Sequence, residues 1–238
     1  MYKCAKLGFA HLRYYCYNKY IMRSVPIITD RYYHVLGRGN NKQNIFKGRR
    51  DYIRFLFLII YLQSPEIFKN IDRQVSYFSK NFTFNLQRKE VNDIIKKRYV
   101  EIIGFSLMSN HFHIIIRQTK DGGISKYMQR ILTSYSKYFN TKYDQAGHLF
   151  QGPYKAIEIL DDNQLSYLSA YQHRNARELR EWKNKELEYP WSSYQDYVKE
   201  NRWGDLLKNG IIIDMFENGK DYNEFVKNSG AKELFFDE

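Results

Sequence analysis

Cysteine is nearly missing from this chain: Cys4 and Cys16 are the only two in 238 residues. Two thiols make neither a disulfide framework nor a zinc ribbon, and a reducing cytoplasm is the expected setting. Long apolar runs are missing too. The longest, Phe55 to Leu62, has eight residues, whereas a membrane helix needs about 20, so no membrane partner is expected. Residues 1–20 lack a signal-peptide core, because Tyr, Lys and Arg interrupt them. Met22 precedes a polar lead-in, Arg23 to Asp30, which makes it a second candidate start and sets residues 1–29 apart as an N-terminal extension. There is no repeat of 20–50 residues and no low-complexity tract. Acidic residues are scarce at the front: residues 1–54 hold twelve Lys/Arg against Asp30 and Asp51, while residues 211–238 hold three Lys/Arg against seven Asp/Glu.

What is present in quantity is aromatic and basic. The 22 Tyr, 16 Phe and 43% hydrophobic content supply a real core and exclude a disordered chain. The net charge of +12, with Tyr interleaved among the front cations, points to a polyanion partner, most often nucleic acid.

Residues 31–37 (RYYHVLG) are β-prone and end at a Gly-rich turn containing Arg38, Asn40, Asn41 and Lys42. A helix is predicted from about Arg49 to Gln63, with Pro65 just beyond it. Residues 66–98 are polar and ambiguous, with helical character from Lys89 onward. Two strands, 99–107 and 111–117, flank the short link Met108-Ser109-Asn110, which predicts a hairpin. A helix over 124–142 follows Gly122-Gly123. Then come a loop over 144–153, a strand over 154–160, and a helix over 163–179 capped by Asp161 or Asp162. This order predicts an α+β fold: a ferredoxin-like split βαβ sheet with helices on one face, plus a C-terminal helix. Because that fold hosts many functions, function has to come from a site.

The densest chemical signal is Ser109-Asn110-His111-Phe112-His113-Ile114-Ile115-Ile116. Side chains alternate along a strand, so His111 and His113 share one face while Phe112 and Ile114 face the core. Two adjacent imidazoles can hold a divalent cation. On the helix over 163–179, Tyr171 and Asn175 are four residues apart and share a face, so both can point at the histidine pair. Tyr167 lies one turn earlier on that face. His173 reads as a backbone or phosphate contact and His34 as structural. Arg38, Asn40, Asn41 and Lys42 form a basic polar turn able to grip phosphates. Lys126, Arg130, Lys137 and Lys142 fall along one side of a helix as a candidate phosphate-tracking stripe. His148 and Lys155 complete the candidate DNA contacts, and nearby tyrosines read as packing or base stacking.

The segments YYHVLGRGNNKQNIF, MSNHFHIII, GGISKYMQRILTSYSKYFNTKY, GHLFQGPYKAIEI and LSYLSAYQHRN, followed by YPWSSYQDY at 189–197, occur in an order that resembles the REP-associated tyrosine transposases. That is a branch of the single-tyrosine HUH insertion-sequence transposases. The resemblance spans about residues 30–198. It implies a catalytic domain over 30–182 with an insertion at about 66–98, and a tail over 183–238. It further implies Tyr171 as nucleophile, His111, His113 and Asn175 around a Mg²⁺ or Mn²⁺ ion, and single-stranded hairpin DNA as partner, with a homodimer left open. The implied reaction nicks and rejoins DNA through a 5′-phosphotyrosine. Two departures stand out. Asn175 is followed by Ala176-Arg177 where the family often has Pro-Val, so the helix is expected to run on to about Trp182. Pro153 replaces a common Arg. Two rivals stay open: a non-catalytic or domesticated nucleic-acid-binding module, and a related HUH relaxase or replication initiator. The second rival usually carries a third His or a second tyrosine motif, and neither pattern is found.

Overall fold

The structure is a computed structural model that describes residues 26–229; Cys4, Cys16, Met22 and the last acidic residues lie outside them. Four strands form the sheet: β1 (Tyr32–Arg38), β2 (Val100–Met108), β3 (His111–Gln118) and β4 (Lys155–Ile159). The longer helices are α1 (Arg49–Tyr61), α2 (Ile71–Asn81), α3 (Arg88–Lys97), α4 (Gly123–Tyr143) and α5 (Asp162–Arg174). Three more follow: α6 (Tyr194–Val198), α7 (Gly210–Ile213) and α8 (Gly219–Asn228).

The sheet is antiparallel in the order β2-β3-β1-β4. That is the split βαβ arrangement expected from the element order. A strand that alternates gives each face its own residue set. On one face Val35, Phe105, Leu107, Phe112, Ile114 and Ile116 pack with α1 and α4 in the main core. On the other, Ile103, Ile115 and Ile159 pack with Leu165, Leu168 and Ala170 of α5. The register slips between Ile102 and Gly104 on β2, so Ile103 is an extra residue that turns toward the α5 side.

α1 is apolar almost all round, with Phe55 through Tyr61 buried. A helix of that kind needs cover on both sides. The sheet supplies one side and the 66–98 stretch the other. That stretch forms two helices, α2 and α3, rather than one beginning at Lys89. Phe84 meets Phe57, Tyr61 and Phe78 there, with Trp203 behind it.

α5 begins as expected: Asp161 is the N-cap and accepts from Gln164 N at 2.7 Å. It does not run to Trp182. The α-helix stops at Arg174, and the chain tightens into 3₁₀ turns at Asn175–Glu178 and Arg180–Trp182, with Leu179 extended between them. This turning seats Ala176 against Met108 and Tyr189 and brings Arg177 Nε to Glu186 at 2.9 Å.

The stretch expected as a tail contributes to the core. Leu107 N donates to Trp191 O, and Ser193 N donates to Phe105 O, so residues 191–193 run beside β2. Tyr189 and Tyr197 hydroxyls donate to Leu107 O and Ile103 O, both at 2.6 Å. Tyr194, Tyr197, Ile212, Tyr222 and Val226 join the α5-side core. No helix among the described residues is long and apolar enough to cross a membrane.

His173 belongs to this second core and cannot reach a phosphate. It is fully buried, hydrogen-bonded through Nδ1 to the Tyr222 hydroxyl at 2.6 Å and through Nε2 to Ser193 Oγ at 2.9 Å, and stacked on Tyr194. Burial lowers its pKa to about 3. The unfolded chain, with an ordinary histidine, therefore takes up a proton first as pH falls. Stability should be full above about pH 7 and decline below the ordinary value of about 6.5, by about 1.4 kcal/mol per pH unit for this one residue. Urea unfolding at pH 7.5 and 5.0 should show the loss, and His173→Gln should flatten the slope. An equal slope in wild type and variant would show that His173 does not set it.

Candidate active site

The registers place side chains on the α5 face in rows. Ser106, His113, Leu36 and Lys155 form one row across the four strands. Met108, His111 and Arg38 form the next, toward the hairpin turn. Arg38 is the last residue of β1, not part of the turn, and it pairs directly with His111. α5 crosses the β2 half of this face, while Lys155 and Ile157 on β4 stay exposed.

His111 and His113 have ring centroids 5.0 Å apart and nearly perpendicular planes. The Tyr171 ring stands edge-on to His113 at 6.0 Å. The predicted nucleophile and the histidine pair thus share one face of the sheet. Tyr167 packs instead on Phe225 at 5.2 Å. Asn175 sits one turn past Tyr171, at the end of α5, 5% exposed, with its Nδ2 lacking a hydrogen-bond partner.

Both histidines are held from behind. His111 Nδ1 lies 2.6 Å from Asn110 Oδ1, and Asn110 Nδ2 reaches Lys42 O at 3.3 Å. His113 Nδ1 lies 2.9 Å from His34 Nε2, with the ring planes nearly parallel and the centroids 5.0 Å apart. Burial pushes the His113 pKa well below the usual histidine value, and the charges of His34, His111 and Arg38 act in the same direction. The ring is therefore neutral at pH 7, as a metal ligand must be. His113 Nε2 is buried with no hydrogen-bond partner. Among the described residues no group of three or more His, Cys, Asp or Glu could hold a metal. The groups that could serve a cation are the two imidazoles and, one turn past Tyr171, the buried Asn175 amide, which can turn to present Oδ1 at little cost. Neutral N and O donors of this kind fit a divalent cation.

The turn after β1 closes the same end of the sheet. Gly39 N donates to Asn110 O and Asn40 N to Leu149 O, both at 2.8 Å. Asn41 and Lys42 take positive φ and are exposed. A Cβ on Gly39 would lie 2.2 Å from Gln43 O, so only glycine lets the turn fold this tightly against His111. Arg38 therefore stands opposite His111, the turn over 40–42 follows it at the same end of the sheet, and Lys155 lies two strands from His113, roughly 10 Å away at ordinary strand spacing.

The helix stripe does not hold together. Arg130 donates to the Leu62, Ser64 and Glu66 carbonyls and to the Tyr99 hydroxyl, so it caps the exit of α1. Lys142 is bound to the buried Asp51. Lys126 is exposed but starts α4 at the far end of the sheet, roughly 25 Å along the helix from its last turn. Lys137 and His148 line a surface cavity of about 370 Å³ with Ser136, Asn140 and Phe150, on the helix layer rather than the histidine face. Tyr127 and Tyr135 are core residues that donate to the Ile59 and Ile45 carbonyls, not base-stacking platforms.

Sequence reasoning missed Asn110 and the link from His34 to His113. It also missed Gln172 and Ser106, fully buried polar side chains without hydrogen-bond partners on the α5 side of β2. A Cβ at Gly104 would come within 3.2 Å of Gln172 Nε2.

The ferredoxin-like sheet thus sets two histidines and a tyrosine on one face. Residues 70–175, the segment that carries His111, His113, Tyr171 and Asn175, match the family model described as "Transposase IS200 like". No curated protein matches the chain. A solved structure of a REP-associated tyrosine transposase bound to a REP hairpin is 15% identical, with a TM-score of 0.49, over 74% of this chain and 84% of that one.

Proposed function

We propose that this chain is a single-tyrosine transposase that binds hairpin-forming single-stranded DNA, nicks it, and rejoins it through a 5′-phosphotyrosine on Tyr171. The observation that carries this reading is the edge-on contact of Tyr171 with His113, beside His111, on the face that α5 leaves half open.

Tyr171 Oη attacks the scissile phosphorus. An Oη–P bond forms, the bond from phosphorus to the 3′ oxygen breaks, and the phenol proton is lost as the departing 3′ oxygen gains one. The phosphotyrosine conserves the ester bond, so a 3′-hydroxyl can later attack it and rejoin strands without ATP. His111, His113 and Asn175 would hold a divalent cation, Mg²⁺ or Mn²⁺, which when bound draws charge from the scissile phosphate. Arg38, which pairs with His111 across β1 and β3, would grip a non-bridging oxygen of that phosphate. The 39–42 turn and Lys155 flank it and would hold the neighbouring phosphates, fixing the strand's direction across the sheet.

The test incubates the protein with 3′-end-labelled hairpin single-stranded DNA and Mn²⁺. A covalent adduct that survives denaturing gels, with the label mapping to the peptide that holds Tyr171, is the expected result. Hairpin binding with no adduct at any Mn²⁺ or Mg²⁺ concentration would refute the enzyme and leave a binding module.

A further inference from the structure

His34 lies on β1 opposite Ile115, and His113 lies on β3 opposite Leu36. The two are therefore diagonal neighbours on one face, close enough for side chains to meet. Their ring planes lie within 12° of parallel with centroids 5.0 Å apart, and the facing nitrogens are 2.9 Å apart, so the rings meet edge to edge. Both rings are buried, at 2% and 3% exposure. A leucine or phenylalanine would fill the His34 position at lower desolvation cost. What the imidazole adds is an in-plane nitrogen directed at His113 Nδ1.

One proton serves that pair of nitrogens, and its position decides what His113 can do. With the proton on His34 Nε2, His113 would carry its own on Nε2 and present a buried N–H where the cation is to sit. With the proton on His113 Nδ1, Nε2 is bare and able to donate its lone pair. Histidine ligands are held this way by an acceptor behind the ring. His111 already shows the pattern, with Asn110 Oδ1 behind its Nδ1.

We infer that His34 is a positioning residue, which accepts a hydrogen bond from His113 Nδ1–H and thereby locks His113 in the tautomer whose bare Nε2 faces the site. This rests on the reading of His113 as a cation ligand given above. His34 does not touch substrate and acts only through His113.

The experiment uses ¹⁵N-histidine-labelled protein in EDTA at pH 7.5. A long-range ¹H–¹⁵N spectrum should show His113 protonated on Nδ1. In His34→Leu, which keeps bulk but offers no acceptor, the Nε2–H form should take over. Mn²⁺ affinity, read by electron paramagnetic resonance, should fall about 10- to 100-fold. His34→Gln, whose Oε1 can accept, should recover most of that loss. Hairpin binding in EDTA should be unchanged in both variants. A wild-type His113 protonated on Nε2 would overturn the assignment, as would a folded His34→Leu with wild-type Mn²⁺ affinity. Should His34→Leu fail to fold, the wild-type spectrum and His34→Gln still decide. If the wild type binds no Mn²⁺ yet shows His113 Nδ1–H, the cation reading falls and the tautomer assignment stands.

Discussion

Replacing Tyr171 with Phe should abolish the covalent DNA adduct and slow strand cleavage by about 10³-fold or more, the scale of losing an enzyme's nucleophile. The ring of Tyr171 is half-buried and packs edge-on against His113. Phenylalanine keeps that ring and removes only Oη, so the fold and hairpin affinity should survive. Tyr167 supplies the control. It lies one turn earlier on α5, but its ring rests on Phe225 of α8, away from the histidine pair. Tyr167→Phe should cleave like the wild type. The quantities to measure are adduct yield and single-turnover cleavage on one labelled hairpin in Mn²⁺. An adduct that persists in Tyr171→Phe, or vanishes in Tyr167→Phe, would move the nucleophile elsewhere.

The parts of the site that could be read from sequence were those governed by local periodicity. Alternation along HFHIII put His111 and His113 on one face, and the structure keeps them there, with Phe112 and Ile114 in the core. The four-residue step from Tyr171 to Asn175 likewise followed from helix geometry. What periodicity could not give was register. His34 is 79 residues before His113, and their contact exists only because β1 pairs with β3 in one alignment out of several. The same limit explains the stripe on α4. Lys126 and Arg130 share one side of a helical wheel, while Lys142 falls well round from them. Arg130, however, faces the seam with α1, and Lys142 faces a carboxylate whose position is set by α1. The residues after 183 carry no strong period, yet their tyrosines reach backbone carbonyls of β2. The bulge at Ile103 was not visible in the sequence at all.

Asp51→Ala should cost about 3–5 kcal/mol of stability, the range for breaking a buried charged network by removing one partner. Asp51 has no exposed surface, and its carboxylate collects five donors. Oδ2 accepts from Lys47 N, Gly48 N and the Tyr143 hydroxyl at 2.9, 3.0 and 2.6 Å, and Oδ1 from the Tyr138 hydroxyl and Lys142 Nζ at 2.8 and 2.5 Å. It thus ties the first turn of α1 to the last two turns of α4, and charge on it also suits a helix N-terminus. Burial by itself would raise its pKa. The hydrogen bonds from Lys142, Tyr143, Tyr138 and Lys47 outweigh that and hold it below the usual aspartate value. A carboxylate of this kind stabilises the fold above its unfolded pKa of about 4 and loses that contribution as pH falls lower. Removing it strands the Lys142 ammonium and two hydroxyls together. Urea unfolding at pH 7.5 measures the loss. Lys208→Ala, which breaks an exposed pair with Asp205, should cost no more than about 1 kcal/mol by the same assay. Lys142→Gln separates the two readings of that residue: as an anchor for Asp51 it should lower stability and leave the salt dependence of hairpin binding alone. A shallower salt slope with undiminished stability would return Lys142 to the DNA surface and disprove the network as the reason for Asp51.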